Sequence, residues 1–328
     1  MVITMSLREI LKTNFLTKDL YNFLKAKKQQ HIFKSKTKTK YKFVNRSKSN
    51  KKLCIVLAGY KEFAYDIFFK RIKEFSPPDI DFCIISSGKY CEVLEKICQE
   101  NDWSYLSTKR NNVCVAQNVA IQLHPNAEYI YKLDEDIFIT ENYFETTFET
   151  LQRVTEESDY AVGFVAPLIL INGYSTLRIL KKLNLREEYE KRFEKLYHAH
   201  GSDRMIENNP DVAEFMWGKD GIVPHIDEIN RIFQSEEFSY SVCPIRFSIG
   251  AVLFKREVFE ELGMFNVSAI GNDLGNDEAQ LCSIAIESSK AIIVAENSVV
   301  GHLSFGTQNN TMKEYFSNHP ERFDFAKK

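Results

Sequence analysis

Residues 129–140 read Tyr-Ile-Tyr-Lys-Leu-Asp-Glu-Asp-Ile-Phe-Ile-Thr, and this stretch decides the fold. The first five residues are rich in β-branched and aromatic side chains, which predicts a short buried strand. Three carboxylates, Asp134, Glu135 and Asp136, follow where the apolar run ends. Ligands of open α/β sheets bind at the carboxyl ends of the strands. We therefore expect functional chemistry at this strand end.

Side-chain alternation predicts that Asp134 and Asp136 face one way and Glu135 the other. Carboxylates that converge without a basic neighbour repel each other. A hard divalent cation, Mn²⁺ or Mg²⁺, relieves this repulsion together with substrate phosphates. On spacing alone, a solvated acidic loop is an equal alternative.

Composition indicates a globular protein with a substantial core, since 44% of the 328 residues are hydrophobic and 13% are aromatic. The seven cysteines form no Cys-x-x-Cys pair and lie mostly in apolar segments, which favours a reducing, cytoplasmic compartment. The longest apolar run, 160–171, is too short to cross a bilayer and contains Pro167. Any membrane association is therefore expected to be peripheral, at the inner face.

Residues 1–52 are predicted to form a basic, partly helical N-terminal arm. Residues 1–50 hold 13 Lys/Arg and 2 acids, whereas the remainder holds 30 and 43. Ser6 and Glu9 match a capping box, and Thr17 is a candidate cap of a second helix. The arm suits an anionic membrane surface, with a solvated tether as the alternative. It contains no recognisable nucleic-acid module, so no nucleic acid is expected as a partner.

From residue 53 onward, apolar strands alternate with amphipathic helices, which predicts an α/β fold with a mostly parallel sheet and helices on both faces. Residues 172–244 have a charged, helical texture and are predicted to be an insertion above the sheet. Residues 311–328 are expected to be a C-terminal tail. The predicted strands are 53–58, 82–85, 103–106, 129–133, 160–171, 245–254, 291–295 and 299–302.

Over residues 53–310 the chain resembles the nucleotide-sugar glycosyltransferases of the GT-A fold, closest to the family 2 type. The most specific match is the run from Phe247 to Phe265, which resembles the family's glycine-containing strand and the helix ending in Gly-x-Phe. Asp134 to Asp136 match the family's Asp-x-Asp motif. The resemblance implies that the donor-binding residues include Ala58, Gly59, Tyr60, Ser86, Asn118, Asp134 and Glu135.

The resemblance also implies a metal site. Asp136 is the expected direct ligand, Asp134 contacts the donor ribose or a metal-bound water, and His302 stands where many GT-A enzymes place a third ligand. Without the resemblance, a lone His in this place is more often structural. In this family the divalent ion, Mn²⁺ or Mg²⁺, stabilises charge on the departing nucleoside diphosphate.

A second acidic pair, Asp277 and Glu278, begins a predicted helix and is the candidate catalytic pair. An inverting transfer needs a base that takes the proton of the acceptor hydroxyl. Counting back from Leu281 selects Glu278 as that base, whereas counting forward from Gly275 selects Asp277. The structural alternative is that Asp277 only caps the helix.

The sequence also departs from the family pattern. Residues 86–88, Ser-Ser-Gly, stand where relatives often have an Asp that contacts the nucleoside, so the donor base stays open, with a UDP-sugar expected. No part of 172–244 matches. Within it, Trp217 is a candidate to stack on the acceptor sugar, and a buried structural role is equally plausible.

The sequence thus predicts a metal-dependent glycosyltransferase, inverting, acting on a glycan or lipid-linked acceptor in polysaccharide or glycoconjugate synthesis. A retaining GT-A transferase and a nucleotidyltransferase are alternatives, although the latter needs a glycine-rich, Arg-containing loop that residues 59–62 do not supply. A non-catalytic sugar-binding scaffold is an alternative from another class. An EF-hand is disfavoured because the 12 residues from Asp134 lack Gly at the sixth position.

Overall fold

A computed structural model of the protein describes residues 19, 20, 23, 24, 27, 34–199, 205–268 and 270–326. These residues form a ten-stranded mixed sheet with the order β1-β4-β3-β2-β5-β9-β7-β10-β6, and β8 pairs with β10 beside this path. The strands are β1 Tyr41–Val44, β2 Lys52–Ala58, β3 Ile80–Ser87, β4 Ser104–Thr108, β5 Tyr129–Asp134, β6 Ile137–Phe138, β7 Val162–Ile169, β8 Tyr240–Val242, β9 Ala251–Lys255 and β10 Ala291–His302.

The first half of the sheet contains four parallel strands in the order β4-β3-β2-β5. Their side chains are buried almost without interruption, because helices cover both faces of a parallel sheet. The chain moves in one direction from β2 to β4 and then returns to β5. Right-handed crossovers therefore place the first two connecting helices on one face and the third on the other. The predicted α/β fold, with a mostly parallel sheet, is confirmed.

The helices of this half are α1 Tyr65–Phe75, α2 Glu92–Asn101 and α3 Val113–Leu123. The rest of the chain contributes α4 Tyr143–Glu157, α5 Ser175–Lys182, α6 Arg186–Arg192, α7 Met205–Asn208, α8 Pro210–Met216, α9 Ile226–Gln234, α10 Arg256–Glu261, α11 Asn276–Glu287 and α12 Asn309–Asn318. Helices α5 to α9 lie in the 172–244 region, so its predicted helical character is confirmed. No helix in the described part of the chain is long and apolar enough to span a membrane.

The second half of the sheet is mixed. Strand β9 runs antiparallel to β5 and β7, while β7 and β10 are parallel. The predicted strand 245–254 is wrong over its first six residues, because β9 begins at Ala251 and residues 245–250 turn toward the end of β5. Gly250 fits this close approach, since a Cβ there would lie 2.8 Å from Ile137 Cδ1. The two strands predicted within 291–302 form one strand, β10, whose register with β7 shifts between Ala295 and Val299.

Both ends of the predicted domain need correction. Strand β1 pairs with β4, so residues 41–44 belong to the sheet although they were assigned to the arm. Asp81 accepts hydrogen bonds from the amides of Lys48 and Asn50, both at 3.0 Å, which fastens the next residues as well. The Ser6 and Thr17 helix starts lie outside the described residues.

The C-terminal segment is not a separate tail over its described length. Helix α12 and a short 3₁₀ turn, Pro320–Arg322, bring Phe323 into the core beside Trp217. The Arg322 guanidinium donates to the carbonyl oxygens of Trp217 and Val223 at 2.8 and 3.0 Å. Residues 309–324 therefore belong to the same hydrophobic core as the sheet.

Candidate active site

The point where the chain reverses its direction across the sheet lies between β2 and β5. Ligands of open α/β sheets bind in the crevice outside the carboxyl ends of such strands. Here those ends are the turn after Ala58 and the Asp134–Asp136 segment, and β2 and β5 are hydrogen-bonded neighbours as far as Leu57 and Asp134. The topology thus brings together the two stretches that the sequence singled out.

Glu135 fastens the turn after β2. Its carboxylate accepts hydrogen bonds from the Gly59 amide at 2.7 Å, the Tyr60 amide at 3.0 Å and the Tyr65 hydroxyl at 2.9 Å. Gly59 has φ of +131°, a conformation that favours glycine, and a Cβ there would meet Lys89 Cε at 3.1 Å. Burial raises the pKa of Glu135, and the donors from this turn oppose that effect. The hydrogen bonds of Glu135 therefore hold the turn that forms the rim of the crevice.

Asp136, Lys61 and His302 form what we call the Asp136 cluster. The Asp136 carboxylate is buried, pairs with the Lys61 ammonium, and lies 3.3 Å from His302 Nε2. Burial alone would raise the pKa of Asp136, but Lys61 and His302 outweigh it and hold the pKa well below its usual value. His302 Nδ1 is buried and has no hydrogen-bond partner among the described residues. An ionised carboxylate and an imidazole are therefore held together at the switch point.

The short strand β6 explains how residues so distant in sequence meet. It pairs with the end of β10, His302 opposite Ile137, and the Leu303 amide donates to the Asp136 carbonyl at 2.9 Å. Trp217 Nε1 donates to the His302 carbonyl at 2.9 Å. Its indole also packs on Gly301, where a Cβ would come within 2.3 Å of the ring. Backbone pairing and the Trp217 ring together fix the position of His302.

Two of the three predicted metal ligands therefore meet. A carboxylate oxygen and an imidazole nitrogen form a donor set that suits Mn²⁺, and His302 Nε2 is the nitrogen that faces the Asp136 carboxylate. Asp134 does not join them, because its carboxylate binds Lys132. Across the described ranges, no three His, Cys, Asp or Glu side chains converge as a ready-made metal site. Asp136 and His302 fit a divalent cation whose remaining ligands come from substrate or water.

Lys132, Asp134, Asp277 and Glu278 form what we call the Lys132 cluster. Lys132 is 1% exposed, and its ammonium donates to Asp134 Oδ2 at 2.7 Å and to the Ile249 carbonyl at 2.9 Å. Burial lowers the pKa of Lys132, but Asp134, Asp277 and Glu278 raise it above its usual value. Burial raises the pKa of Asp134 to about 6, with Lys132 opposing and Asp136 adding to the rise. The buried Lys132 cation thus pairs directly with Asp134, while Asp277 and Glu278 act on it electrostatically without a direct contact.

The catalytic candidates lie at the start of α11. Glu278 accepts a hydrogen bond from Arg246 Nε at 2.6 Å, and Gln117 Nε2 approaches Asp277 Oδ2 at 3.3 Å. Asp277 does not cap the helix, because Gly275 occupies the cap position, and Asp277 Oδ1 instead accepts from the Glu278 amide at 3.0 Å. Asp277 is therefore not the cap residue, but it still satisfies one of the unpaired amides of the helix start. Glu278 meets the amide of Ile249 at 3.4 Å, and the carbonyl of Ile249 accepts from Lys132, which connects the helix start to the end of β5.

Three predicted ligand-binding residues face the protein interior. Ser86 is fully buried and bonds to the Lys89 carbonyl and the Tyr105 hydroxyl. Asn118 is 1% exposed and donates to the Phe265 carbonyl at 2.9 Å, so it does not face the crevice. Of the two roles considered for Trp217, the structure shows the buried structural one, because its ring is 2% exposed and packed on Gly301 and Phe323. Tyr60, by contrast, is 62% exposed at the rim.

The site predictions omitted three cations of the crevice, Lys61, Lys132 and Arg246. Lys132 carries a recognisable signal, because it is the one charged residue in the apolar run 129–133 and shares a strand face with Asp134. Lys61 and Arg246 carry no comparable signal. They meet Asp136 and Glu278 only through tertiary contacts across 75 and 32 residues.

No protein-family model matches the chain, and no curated protein matches its sequence. Among solved structures it is similar to the mannosyltransferase PcManGT from Pyrobaculum calidifontis in complex with GDP-Man and Mn²⁺, with 16% identity, 90% of this chain and 68% of that chain covered, and a TM-score of 0.43. It is also similar to GalNAc-T7 with UDP, GalNAc and Mn²⁺, with 11% identity, 84% and 52% covered, and a TM-score of 0.44. The chain spans about half the length of this second structure. Both are GT-A glycosyltransferases, the class that the sequence resembles, but likeness of this extent carries no conclusion about substrate or reaction.

Proposed function

We propose that the protein is a metal-dependent glycosyltransferase that moves a sugar from a nucleotide-sugar donor to a hydroxyl group of a glycan or lipid-linked acceptor, with inversion. The observation that carries the proposal is the placement of two different carboxylate clusters at one topological switch point. One is an ionised carboxylate, Asp136, that faces the Nε2 atom of the His302 imidazole at 3.3 Å. The other contains two carboxylates at a helix start. A cation site next to candidate bases is what such a transfer needs.

Asp136 and His302 would hold the cation. When bound, a divalent ion supplies electrostatic stabilisation of the charge that develops on the departing nucleoside diphosphate. Lys61 has a related task, because its side chain is 19% exposed and its ammonium can turn from Asp136 to a phosphate oxygen. In the structure without substrate, Lys61 neutralises Asp136. We propose that substrate binding exchanges this pairing for one with the diphosphate.

Glu278 is the proposed base, with Asp277 as the alternative. Its carboxylate would take the proton of the acceptor hydroxyl as that oxygen attacks the anomeric carbon. Arg246 orients Glu278 through the 2.6 Å hydrogen bond, and the Ile249 amide approaches its second oxygen at 3.4 Å. Lys132 keeps Asp134 in place between this helix and the Asp136 cluster. In this proposal, one set of side chains stabilises the negative charge of the donor, and a different side chain takes the proton of the acceptor hydroxyl.

The donor can be tested by thermal unfolding with a panel of nucleotide sugars, with and without Mn²⁺. A ligand at 100 times its dissociation constant stabilises a protein by about 2.7 kcal/mol, which gives a readily measured shift. We expect stabilisation by UDP-sugars or GDP-sugars only when Mn²⁺ is present. Stabilisation by a nucleotide sugar without any metal would instead favour Lys61 as the permanent phosphate ligand. No shift with any nucleotide sugar would favour the sugar-binding scaffold.

A further inference from the structure

A surface beside the crevice combines exposed aliphatic side chains with lysines that form no ion pair in the described part of the chain. Residues 270–276 form an exposed segment in which Ile270 is 90% and Leu274 71% exposed. Its single acid, Asp273, is 3% exposed and accepts hydrogen bonds from Asn112 Nδ2 at 2.6 Å and from the Ser268 amide at 2.9 Å. A buried anchor therefore holds two large apolar side chains in solvent, and every exposed residue of the segment is uncharged.

Backbone contacts connect this segment to the lysines. The Val113 amide donates to the Asn272 carbonyl at 2.9 Å, and Arg110 donates to the Ser268 carbonyl at 2.8 Å. The Lys109 amide in turn donates to the Lys40 carbonyl at 2.7 Å. The Arg110 amide donates to the hydroxyl of Thr39, the neighbour of Lys38, at 3.1 Å. We call the surface of Lys38, Lys40, Lys109, Ile270 and Leu274 the docking rim. All five residues are exposed.

No residue in the described part of the chain neutralises the charge of the docking rim. Lys38, Lys40 and Lys109 form no ion pair with any residue in the described part of the chain, whereas nearby Lys42 pairs with Glu95 at 3.2 Å. Exposed aliphatic residues flanked by free lysines match the interface of a bilayer, where acyl chains lie just below anionic headgroups. We propose that the docking rim binds an anionic lipid bilayer, with Ile270 and Leu274 inserted at the headgroup boundary.

Two other occupants fit less well. A nucleic-acid strand is bound by stacking on aromatic side chains, but the projecting side chains of this segment are aliphatic. A second copy of the chain would bring the same lysines face to face, which costs electrostatic energy. The inference does not depend on the proposed transferase activity. Tyr60 hydrogen-bonds to Asn111 at 3.3 Å, next to Arg110, so docking here would bring the crevice close to the membrane.

Vesicle flotation with the full chain tests the proposal. The probes are phosphatidylcholine vesicles and phosphatidylcholine vesicles with phosphatidylglycerol, at low and high salt. We expect partitioning only onto the anionic vesicles, weakened by salt. The Ile270→Ser/Leu274→Ser variant should lose at least about tenfold in partitioning, because two apolar side chains no longer enter the interface. Lys40→Gln/Lys109→Gln should lose about 30-fold, from about fivefold per lysine near an anionic surface.

Matched control variants test whether any loss of vesicle binding is specific to the docking rim. Ile286→Ser removes an exposed aliphatic residue at the far end of α11, and Lys73→Gln/Lys181→Gln removes two exposed lysines away from the rim. Because all substituted side chains are exposed, thermal unfolding should be unchanged. Equal losses in rim and control variants would overturn the proposal and assign any binding to other basic residues. It would also be overturned by binding to an oligonucleotide but not to vesicles, or by a dimer that the Ile270→Ser/Leu274→Ser variant dissociates.

Discussion

The two clusters at the end of β5 use the same kind of side chain under opposite conditions. In the Asp136 cluster, one carboxylate faces a lysine and an imidazole. In the Lys132 cluster, one buried lysine pairs with Asp134, and the carboxylates of Asp277 and Glu278 also stabilise its charge. The first arrangement has a lysine that substrate or metal can displace. In the second, displacing the lysine would leave the buried Asp134 charge without its partner. This cluster is therefore suited to holding side chains in position.

The largest effect should come from the acidic end of α11. Glu278→Gln keeps the size and hydrogen-bonding capacity of the side chain but removes the base, so turnover should fall by about 10²- to 10⁴-fold. Binding of the donor nucleotide should stay near the wild-type value, because the Asp136 cluster is untouched. Initial rates of sugar transfer and calorimetric titration measure the two quantities separately.

Asp277→Asn is the matched partner of that variant. If Asp277→Asn loses turnover while Glu278→Gln keeps it, Asp277 is the base. If both variants stay active, neither carboxylate is the base, and a retaining mechanism becomes the better account.

The Lys132 cluster predicts a stability effect of similar size. Lys132→Met leaves Asp134 buried without its cation, and breaking a buried ion pair in this way costs about 3 to 5 kcal/mol. Urea unfolding measures the loss. The double variant Lys132→Met/Asp134→Asn should recover much of it, because the unpaired charge is gone. A single variant as stable as the wild-type protein would show that Lys132 does not hold the cluster together.

The Trp217→Phe variant should have a smaller effect on stability, and it distinguishes a structural role of Trp217 from a sugar-binding role. Trp217→Phe keeps most of the ring but loses the hydrogen bond to the His302 carbonyl, so unfolding should become easier by about 0.5 to 1.5 kcal/mol. Affinity for the acceptor should not change, since the ring is buried. A lower acceptor affinity with unchanged stability would restore Trp217 to the acceptor site.

The sequence predicted the parts of the molecule that depend on local pattern. The apolar run 129–133 and the helix start at 276–278 were recognisable because strand burial and helix periodicity repeat over a few residues. The resemblance then selected Asp136 and His302, which the structure brings within 3.3 Å. The predictions that were wrong concern features that tertiary contacts determine.

Gly250 shows the difference. Residues 245–250 have the composition of a strand, yet the chain must turn there to let Ile137 approach Gly250 and to place the Ile249 carbonyl on Lys132. The burial of Trp217 depends on its contact with Gly301, 84 residues later. The local sequence around Trp217 does not show this contact, so a stacking role seemed possible. In the same way, nothing in residues 41–44 alone shows that β4 has a free edge for them to cover.

The most direct test of the account is calorimetric titration of UDP and GDP into Asp136→Asn, with Asp134→Asn as the matched control, each with and without Mn²⁺. The account predicts that Mn²⁺-dependent binding of the preferred nucleotide is lost in Asp136→Asn. Asp134→Asn should keep the dependence on Mn²⁺, because Asp134 is tied to Lys132 and is not brought together with His302. Unchanged Mn²⁺-dependent binding in Asp136→Asn would contradict the account.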